Sequence, residues 1–178
     1  MRVITGSARG MVLKTLDGDN TRPTTEKVKE AVFSAIQFEI EGRRVLDLFA
    51  GSGQMGIEAL SRGAESAVFA DRDKGAVKLI KENIEKTGFT ANTNVVQMDY
   101  LAFLNMNTLV FDIVFLDPPY DTGMLEKAID RVGEYVAEGG VVICEHPYSS
   151  AMPDEYGELK KYRDYKYGKT AVTIYRKD

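Results

Sequence analysis

Apolar and amphipathic segments alternate along the chain from residue 44 onward. Short, nearly continuous apolar runs are typical of strands buried on both faces, and apolar positions three and four residues apart predict helices between them. Strands are predicted at residues 45–50, 66–71, 93–97, 111–116 and 139–145, and helices near residues 53–62, 74–87, 100–106 and 123–136. This alternation predicts βαβ units and therefore an α/β fold built on a parallel sheet.

The pattern changes near the C terminus. A strand predicted around residues 159–166 is followed, after the turn at residues 167–169, by another at residues 171–175. Because three residues leave no room for a crossover helix, this pair must be antiparallel. The sequence therefore predicts a mostly parallel, seven-stranded sheet with an antiparallel last strand.

The first 43 residues carry a separate pattern. Loosely alternating apolar positions around Gly6 and Gly10 predict a short β-hairpin, and residues 17–20 form a cluster of turn formers. Pro23 opens a predicted helix whose apolar face carries Val28, Val32, Ala35 and Ile36. We expect residues 1–43 to form a small hairpin and helix extension on a core of residues 44–178.

Composition limits the class of protein. The 178 residues contain no repeat and no linker rich in Gly, Ser or Pro, so a single domain spanning residues 1–178 is predicted. No apolar run is long enough to span a bilayer, and the start of the chain lacks the apolar core of a signal peptide. Cys144 is the only cysteine, so an internal disulfide is excluded. These features predict a cytoplasmic protein.

Charge is spread unevenly along the chain. Residues 1–29 have a net charge of +3, residues 159–178 have +5, and the residues between them have −12, which gives −4 in total. If the two ends meet in space, a basic face lies on an acidic body, as binding to a nucleic acid would require. Two separate, solvated lysine-rich ends would give the same counts.

A glycine-rich turn follows the first predicted strand. Residues 51–56 (GSGQMG) satisfy the G-x-G-x-x-G pattern of dinucleotide-binding turns. Asp47 lies inside the preceding strand, and a carboxylate aimed into the turn would repel a pyrophosphate group. A ligand with an ammonium group and no phosphate would instead be attracted. S-adenosylmethionine (SAM) is such a ligand, so we expect the turn to bind its methionine end.

Further acids close the next strands. Asp71 follows the second predicted strand and is placed to accept hydrogen bonds from ribose hydroxyls, whereas Asp99 follows the third and is placed near an adenine amino group. Asp117 follows the fourth strand. Ligands of open α/β sheets bind at the carboxyl ends of the strands, so these acids should converge with Asp47 on one crevice. Taken singly, each of these acids could instead be a helix cap or a turn former with no role in ligand binding.

The segment Asp117-Pro118-Pro119-Tyr120 has a composition suited to holding an amine. The lone pair of an exocyclic amine is delocalised into its ring, and a carboxylate or carbonyl that accepts its N–H bonds makes the nitrogen more nucleophilic. Two prolines fix the backbone and withhold N–H donors, so nearby carbonyls can point at the substrate. The tyrosine offers a face on which a flipped-out base can stack. We therefore expect an amine clamp beside the methyl donor.

These motifs are similar to those of a known superfamily. Residues 47–53 (DLFAGSG) resemble the first motif of class I SAM-dependent methyltransferases, and the Asp-Pro-Pro-Tyr segment resembles the fourth motif of those that methylate amino groups. The resemblance implies a Rossmann-like methyltransferase fold and a clamp formed by Asp117, Pro118, Pro119 and Tyr120. No Cys/His cluster has metal-ligand spacing, so no metal is expected. The cofactor-binding residues that it implies are Asp47, Phe49, Ala50, Gly51, Ser52, Gly53, Asp71, Arg72, Asp99 and Tyr100.

Other stretches resemble the RsmD family of bacterial 16S rRNA guanine-N2 methyltransferases. They are residues 1–10 (MRVITGSARG), 21–36 (TRPTTEKVKEAVFSAI), 58–64 (EALSRGA) and 145–147 (EHP). The resemblance implies methyl transfer from SAM to a guanine N2 amine, with S-adenosylhomocysteine as the product. It also implies a monomer that acts on rRNA within an assembling or assembled small ribosomal subunit. Met11 stands where a basic residue is common, and Gln54-Met55 where smaller residues are usual.

Basic residues near the two ends are the candidates for contact with RNA phosphates. They are Arg2, Arg9, Arg22, Lys27 and Lys169. His146 is the only histidine, and we interpret it as structural or as part of the rim, because methyl transfer to an amine needs no imidazole.

Other functions stay open at this point. A DNA adenine-N6 methyltransferase would use the same clamp, but such enzymes usually need a separate target-recognition domain. A protein-glutamine methyltransferase would favour Asn at position 117. An rRNA-binding assembly factor would not need the four acids, and a nicotinamide oxidoreductase leaves Asp47 and the two prolines without a role.

Overall fold

The computed structural model describes residues 1–16 and 23–178. The helices are α1 (Pro23–Ala35), α2 (Gln54–Ser61), α3 (Lys74–Thr87), α4 (Tyr100–Met106) and α5 (Met124–Val132). The strands are β1 (Arg44–Leu48), β2 (Ser66–Asp71), β3 (Thr93–Gln97), β4 (Phe111–Leu116), β5 (Val136–Pro147), β6 (Glu155–Tyr156), β7 (Leu159–Tyr167) and β8 (Thr170–Lys177).

These strands form one sheet in the order β3-β2-β1-β4-β5-β8-β7-β6. Strands β1 to β5 are mutually parallel, and β8 is antiparallel to both β5 and β7. The predicted α/β fold, with its mostly parallel sheet and antiparallel last strand, is confirmed. The sheet also contains an eighth strand, because the two-residue β6 pairs with the edge of β7.

Two predicted boundaries near residue 136 are wrong. The helix predicted to reach residue 136 ends at Val132 and is followed by a 3₁₀ turn, and β5 begins at Val136 rather than at residue 139. Gly139 has a φ of 72°, and the register between β4 and β5 shifts there. The glycine pair at residues 139–140 therefore marks a bulge inside a longer strand rather than the start of one.

The predicted N-terminal hairpin is present as one antiparallel bridge, between Arg2 and Val12, flanked by backbone hydrogen bonds from Val3 to Met11 and from Leu13 to Met1. Residues 1–16, here called the N-terminal arm, also use backbone groups between the two hairpin strands to bind helix α2. The N–H of Ser7 donates to the carbonyl of Ser61 at 2.8 Å, and that of Ala8 donates to the Ser61 hydroxyl at 3.0 Å. Because these donors are occupied by the helix, they cannot extend a strand ladder.

The hydrophobic core has one layer on each face of the sheet. Helices α1, α2 and α3 cover one face, where residues such as Phe33, Ile57 and Ile80 are buried. Helices α4 and α5 cover the other face, with Leu104 and Ile129 at its centre. Helices on both faces leave the carboxyl ends of the central strands as an open edge, which is where ligands bind in such folds.

A buried carboxylate joins the N-terminal arm to both α1 and α2. Glu58 of α2 is fully buried and lies 3.4 Å from the ammonium group of Lys29 and 2.9 Å from the guanidinium of Arg62. Its two oxygens also accept the backbone N–H groups of Ile4 and Thr5, at 2.8 and 3.0 Å. Burial lowers the pKa of Lys29, and the adjacent Glu58 opposes that effect. A buried charge without partners is costly, so this network fixes the arm against α2.

Replacing Lys29 by methionine tests this network. The substitution keeps the volume but leaves Glu58 with Arg62 as its only side-chain cation among the described residues. We expect the free energy of unfolding to fall by about 2–3 kcal/mol, as measured by urea denaturation. Lys27→Met, on the exposed side of the same helix, is the matched control and should change it by less than about 0.5 kcal/mol. Equal stability of the two variants would contradict this account.

Candidate active site

A cavity of about 610 Å³ opens at the carboxyl ends of the central strands. The four predicted acids all line it: Asp47 near the end of β1, Asp71 at the end of β2, Asp99 after β3 and Asp117 after β4. Residues near both ends of the chain also line the cavity: Met1 and Thr15 from the first part and Thr170 from the last. The structure therefore brings together the residues that the sequence placed at four separate strand ends.

The glycine-rich loop is held open by fixed backbone contacts. Phe49 ends β1 with a φ of 73°, a conformation that costs free energy for a residue with a side chain. The N–H groups of Phe49 and Ala50 both donate to the carbonyl of Ala70 at 3.1 Å, and that of Gly51 donates to Asp71 at 2.9 Å. These bonds tie the loop to the end of β2, so its shape is set before any ligand arrives.

Asp47 lies beneath this loop and is only 4% exposed. Its carboxylate accepts the backbone N–H of Gly56, in the first turn of α2, at 3.0 Å. Burial raises the pKa of Asp47 to about 7; the Gly56 hydrogen bond opposes this and the nearby Asp71 adds to it. A cationic group bound in the cavity would favour the ionised form of this carboxyl and would be attracted by it.

Asp71 and Asp99 are both engaged by backbone donors. Asp71 accepts the N–H of Gly51 with one oxygen and that of Asp73 with the other, each at 2.9 Å. Asp99 is the N-cap of α4 and accepts the N–H of Leu101 at 2.9 Å. Asp99 therefore does cap a helix, which was the alternative interpretation given for each of these acids. Because each carboxylate oxygen has two lone pairs, both side chains can also accept hydrogen bonds from a ligand.

Aromatic rings line the cavity next to these acids. Phe49 and Tyr100 pack with their ring centroids 4.9 Å apart. Arg72 is exposed at the margin. Of the ten predicted cofactor-binding residues, Gly53 does not line the cavity. Its φ of 78° starts helix α2, so Gly53 contributes the turn rather than a wall.

The predicted amine clamp lies at the same edge, after β4. Asp117 is exposed, Pro118 is buried, and all four residues of the segment line the cavity. The hydroxyl of Thr122 donates to the carbonyl of Pro119 at 2.7 Å. Of the two proline carbonyls, the one at Pro118 is therefore the better candidate for accepting a substrate N–H.

Tyr120 is anchored by two neighbouring strands. Its hydroxyl donates to Glu145 of β5 at 3.1 Å and lies 3.3 Å from the hydroxyl of Thr170 of β8. Burial, followed by the carboxylates of Glu145 and Asp117, raises the pKa of Tyr120 to about 12. The phenol therefore stays neutral near pH 7, and the ring is held in one orientation. Sequence reasoning missed this role for Glu145 and Thr170, although Glu145 is the last residue of the strand predicted at residues 139–145.

A second residue that sequence reasoning missed, Asn83 of α3, connects the N-terminal arm to the glycine-rich loop. Its amide accepts the N–H of Lys14 at 2.9 Å and donates to the Lys14 carbonyl at 3.0 Å and the Ser52 carbonyl at 2.9 Å. This arrangement positions Thr15 and Leu16, which follow Lys14, against the cavity. Only the fold, and no local motif, places α3 beside residue 14.

His146 has partners outside the large cavity. Its Nε2 lies 2.8 Å from the hydroxyl of Thr173, and its Nδ1 lies 2.9 Å from the carbonyl of Pro147. The ring is buried and borders a smaller cavity of about 80 Å³ on the other side of the clamp segment. This placement agrees with the structural role expected for it.

The predicted phosphate-binding residues are all on the surface where the structure describes them. Arg2, Arg9, Lys27 and Lys169 are exposed, and Arg22 lies outside the described residues. Among residues 1–16 and 23–178, no group of His, Cys, Asp and Glu side chains is arranged to hold a metal ion. The helices in the same part of the chain are too short or too polar to cross a membrane.

Comparison with known proteins gives matches along the whole chain. Residues 1–176 match the family model described as "Conserved hypothetical protein 95". The chain is 42% identical to the "Putative rRNA methyltransferase YlbH" of Bacillus subtilis, over 99% of both proteins. It is 31% identical to the "Ribosomal RNA small subunit methyltransferase D" of Escherichia coli, over 100% of this chain and 90% of that protein. The solved structure "Putative methyltransferase yhhF from Escherichia coli" has a TM-score of 0.90 at 31% identity, over 100% of this chain and 98% of that one.

The raised pKa of Asp47 predicts a specific dependence of stability on pH. Because this pKa lies above that of the unfolded chain, the carboxyl takes up a proton on folding, and its ionisation destabilises the fold as the pH rises from about 4 to about 7. Asp47→Asn removes this effect while keeping an acceptor for Gly56. We expect the variant to be more stable than the wild type by about 1–3 kcal/mol at pH 8, with the gain shrinking towards pH 5. Urea denaturation across this range measures the difference, and a gain that is constant with pH would contradict the assignment.

Proposed function

The chain belongs to the RsmD family, and we propose that it transfers the methyl group of SAM to the exocyclic N2 amine of a guanine in 16S rRNA, at a site like guanine 966. One observation carries the proposal: the four strand-end acids and the Asp-Pro-Pro-Tyr segment line a single cavity. Its volume of about 610 Å³ is in the usual range for small-molecule sites. The printed names of the relatives, which refer to rRNA methylation, support the choice of substrate.

The residues around the cavity fit the chemical groups of SAM. Asp47 is buried, and its hydrogen-bond donor is the backbone N–H of Gly56 rather than a cation. It would therefore bind the ammonium group of the methionine end. Asp71 would accept hydrogen bonds from the ribose hydroxyls, and Asp99 would accept one from the adenine amino group. Phe49 and Tyr100 would supply apolar surface beside the adenosine. When bound, the cofactor supplies a methyl group made electrophilic by its sulfonium.

The clamp would hold the guanine amine in line with that methyl group. The carboxylate of Asp117 and the carbonyl of Pro118 would accept the two N–H bonds of the amine, which raises the electron density on nitrogen. The ring of Tyr120 would stack on the base, in an orientation fixed by Glu145 and Thr170. When the nitrogen gains the methyl group and the sulfonium leaves as a neutral thioether, Asp117 or water would take the proton that the nitrogen loses. Most of the rate acceleration would come from this positioning.

Exposed basic and aromatic groups near the cavity would contact the RNA. Lys169 adjoins Thr170 on the cavity wall, and its carbonyl accepts the N–H of Tyr148. The ring of Tyr148 is 53% exposed and lies 3.5 Å from the ammonium group of Lys166. Arg2, on the opposite side, follows Met1 of the cavity wall. We further propose that the protein acts as a monomer in the cytoplasm. Because the basic rim is small, its substrate would be an assembling or assembled small subunit, in which other components present the base.

The experiment that tests this function is transfer of a labelled methyl group from SAM. The acceptors are small ribosomal subunits lacking the modification, the naked rRNA and DNA, each digested to nucleosides after the reaction. We expect the label in N2-methylguanosine. Asp117→Ala should lower the rate about 100-fold or more without weakening S-adenosylhomocysteine binding, because it removes an interaction with the reacting amine. Tyr120→Phe keeps the stacking ring, so it should lower the rate much less.

The other outcomes separate the alternatives. Label only in N6-methyladenosine of DNA would replace the proposed acceptor with an adenine. Full activity of Asp117→Ala would remove the clamp from the mechanism while leaving the methyl transfer intact. No label in any acceptor would contradict the proposed function.

A further inference from the structure

One polar atom at the cavity lacks a partner. Gln54 is the first residue of α2, and its side chain lines the cavity beside the glycine-rich loop. In the described part of the chain, its Oε1 is the one buried side-chain nitrogen or oxygen without a hydrogen bond. Leaving a buried acceptor unpaired is costly, because the group has lost its hydrogen bonds to water. Buried polar groups are so consistently paired in folded proteins that such an atom points to a missing partner.

The terminal amide of Gln54 can reach such a partner without moving the backbone. The last torsion of a glutamine side chain is soft, so rotation about it turns the oxygen towards the cavity at little cost. Met55, Leu16 and Val28 line the same cavity and offer no N–H or O–H group. Thr15 and Ser52 also line it and carry hydroxyls, but neither donates to Oε1. A ligand in the cavity is therefore the remaining source of a donor.

The position of Gln54 selects one end of that ligand. Asp47 is hydrogen-bonded to Gly56, so its carboxylate lies against the first turn of α2, the turn that Gln54 begins. Asp71 and Asp99 lie towards β2 and β3, on the far side of β1 from β4. A ligand group near Asp47 is therefore the one within reach of Gln54.

We infer that Oε1 of Gln54 accepts a hydrogen bond from the α-ammonium group of SAM, which it shares with Asp47. The inference rests on the proposed function, because it takes SAM as the cofactor. The ammonium group has three N–H donors, so a carboxylate and an amide oxygen can bind it together. This contact makes Gln54 a cofactor-binding residue at a position where smaller residues are usual in the proteins that the chain resembles.

Calorimetric titration of the full chain tests the contact. Two ligands are compared: S-adenosylhomocysteine and its analogue that lacks the α-amino group. Gln54→Leu removes the acceptor at similar size, and it should weaken binding of S-adenosylhomocysteine about tenfold while leaving the affinity for the analogue unchanged. Gln54→Glu, which restores an acceptor, should recover the binding. Gln37→Leu, the same change at an exposed glutamine outside the cavity wall, is the matched control and should change neither affinity by more than about twofold.

Each other outcome has a definite meaning. If Gln54→Leu binds S-adenosylhomocysteine as tightly as the wild type, the inference is overturned and the proposed function stands. If it weakens both ligands equally, Gln54 only shapes the cavity, and the inference is again overturned. If the wild-type chain binds neither ligand, the proposed function fails, and the inference fails with it.

Discussion

Glu58 lies fully buried in the helix that starts at the glycine-rich loop, and a buried carboxylate is costly unless it has several partners. Those partners come from three places: Lys29 of α1, Arg62 at the C-terminal cap of α2, and the backbone of the N-terminal arm. Removing any one of these partners would leave the buried Glu58 carboxylate with fewer compensating contacts. The arm is therefore held against α2. The arm in turn supplies Met1, Thr15 and Leu16 to the cavity wall. The shape of one side of the site thus depends on a charge buried behind it.

The sheet provides the second constraint. Parallel strands bring their carboxyl ends to one edge, so a residue that follows a strand is placed at the cavity whatever its distance along the chain. This rule is why Asp71 and Asp117 could be assigned to one crevice from the sequence alone. The same edge receives Glu145 from β5, and the antiparallel pairing of β5 with β8 adds Thr170. These two residues fix Tyr120, so the clamp is part of a rigid three-strand unit.

The predictions from sequence failed where long-range contacts decide the outcome. Short apolar runs located the central strands β1, β2, β4 and β5, because burial on both faces leaves a local signal. Gly139 was misread because a bulge and a strand start both place glycine beside apolar residues. The sequence did not show that the residues between the two strands of the N-terminal hairpin bind α2, which lies more than fifty residues away. Asn83 gave no signal at all, since its two partners, Lys14 and Ser52, are brought together only by the fold.

A crystal structure of the chain with S-adenosylhomocysteine tests the central claim most directly, since that claim concerns where the cofactor lies. The account predicts the ligand amino group within hydrogen-bonding distance of Asp47, the ribose hydroxyls at Asp71 and the adenine beside Asp99. The sulfur atom should face the clamp at Asp117. A ligand bound in the reverse orientation, or away from the carboxyl ends of the strands, would contradict it.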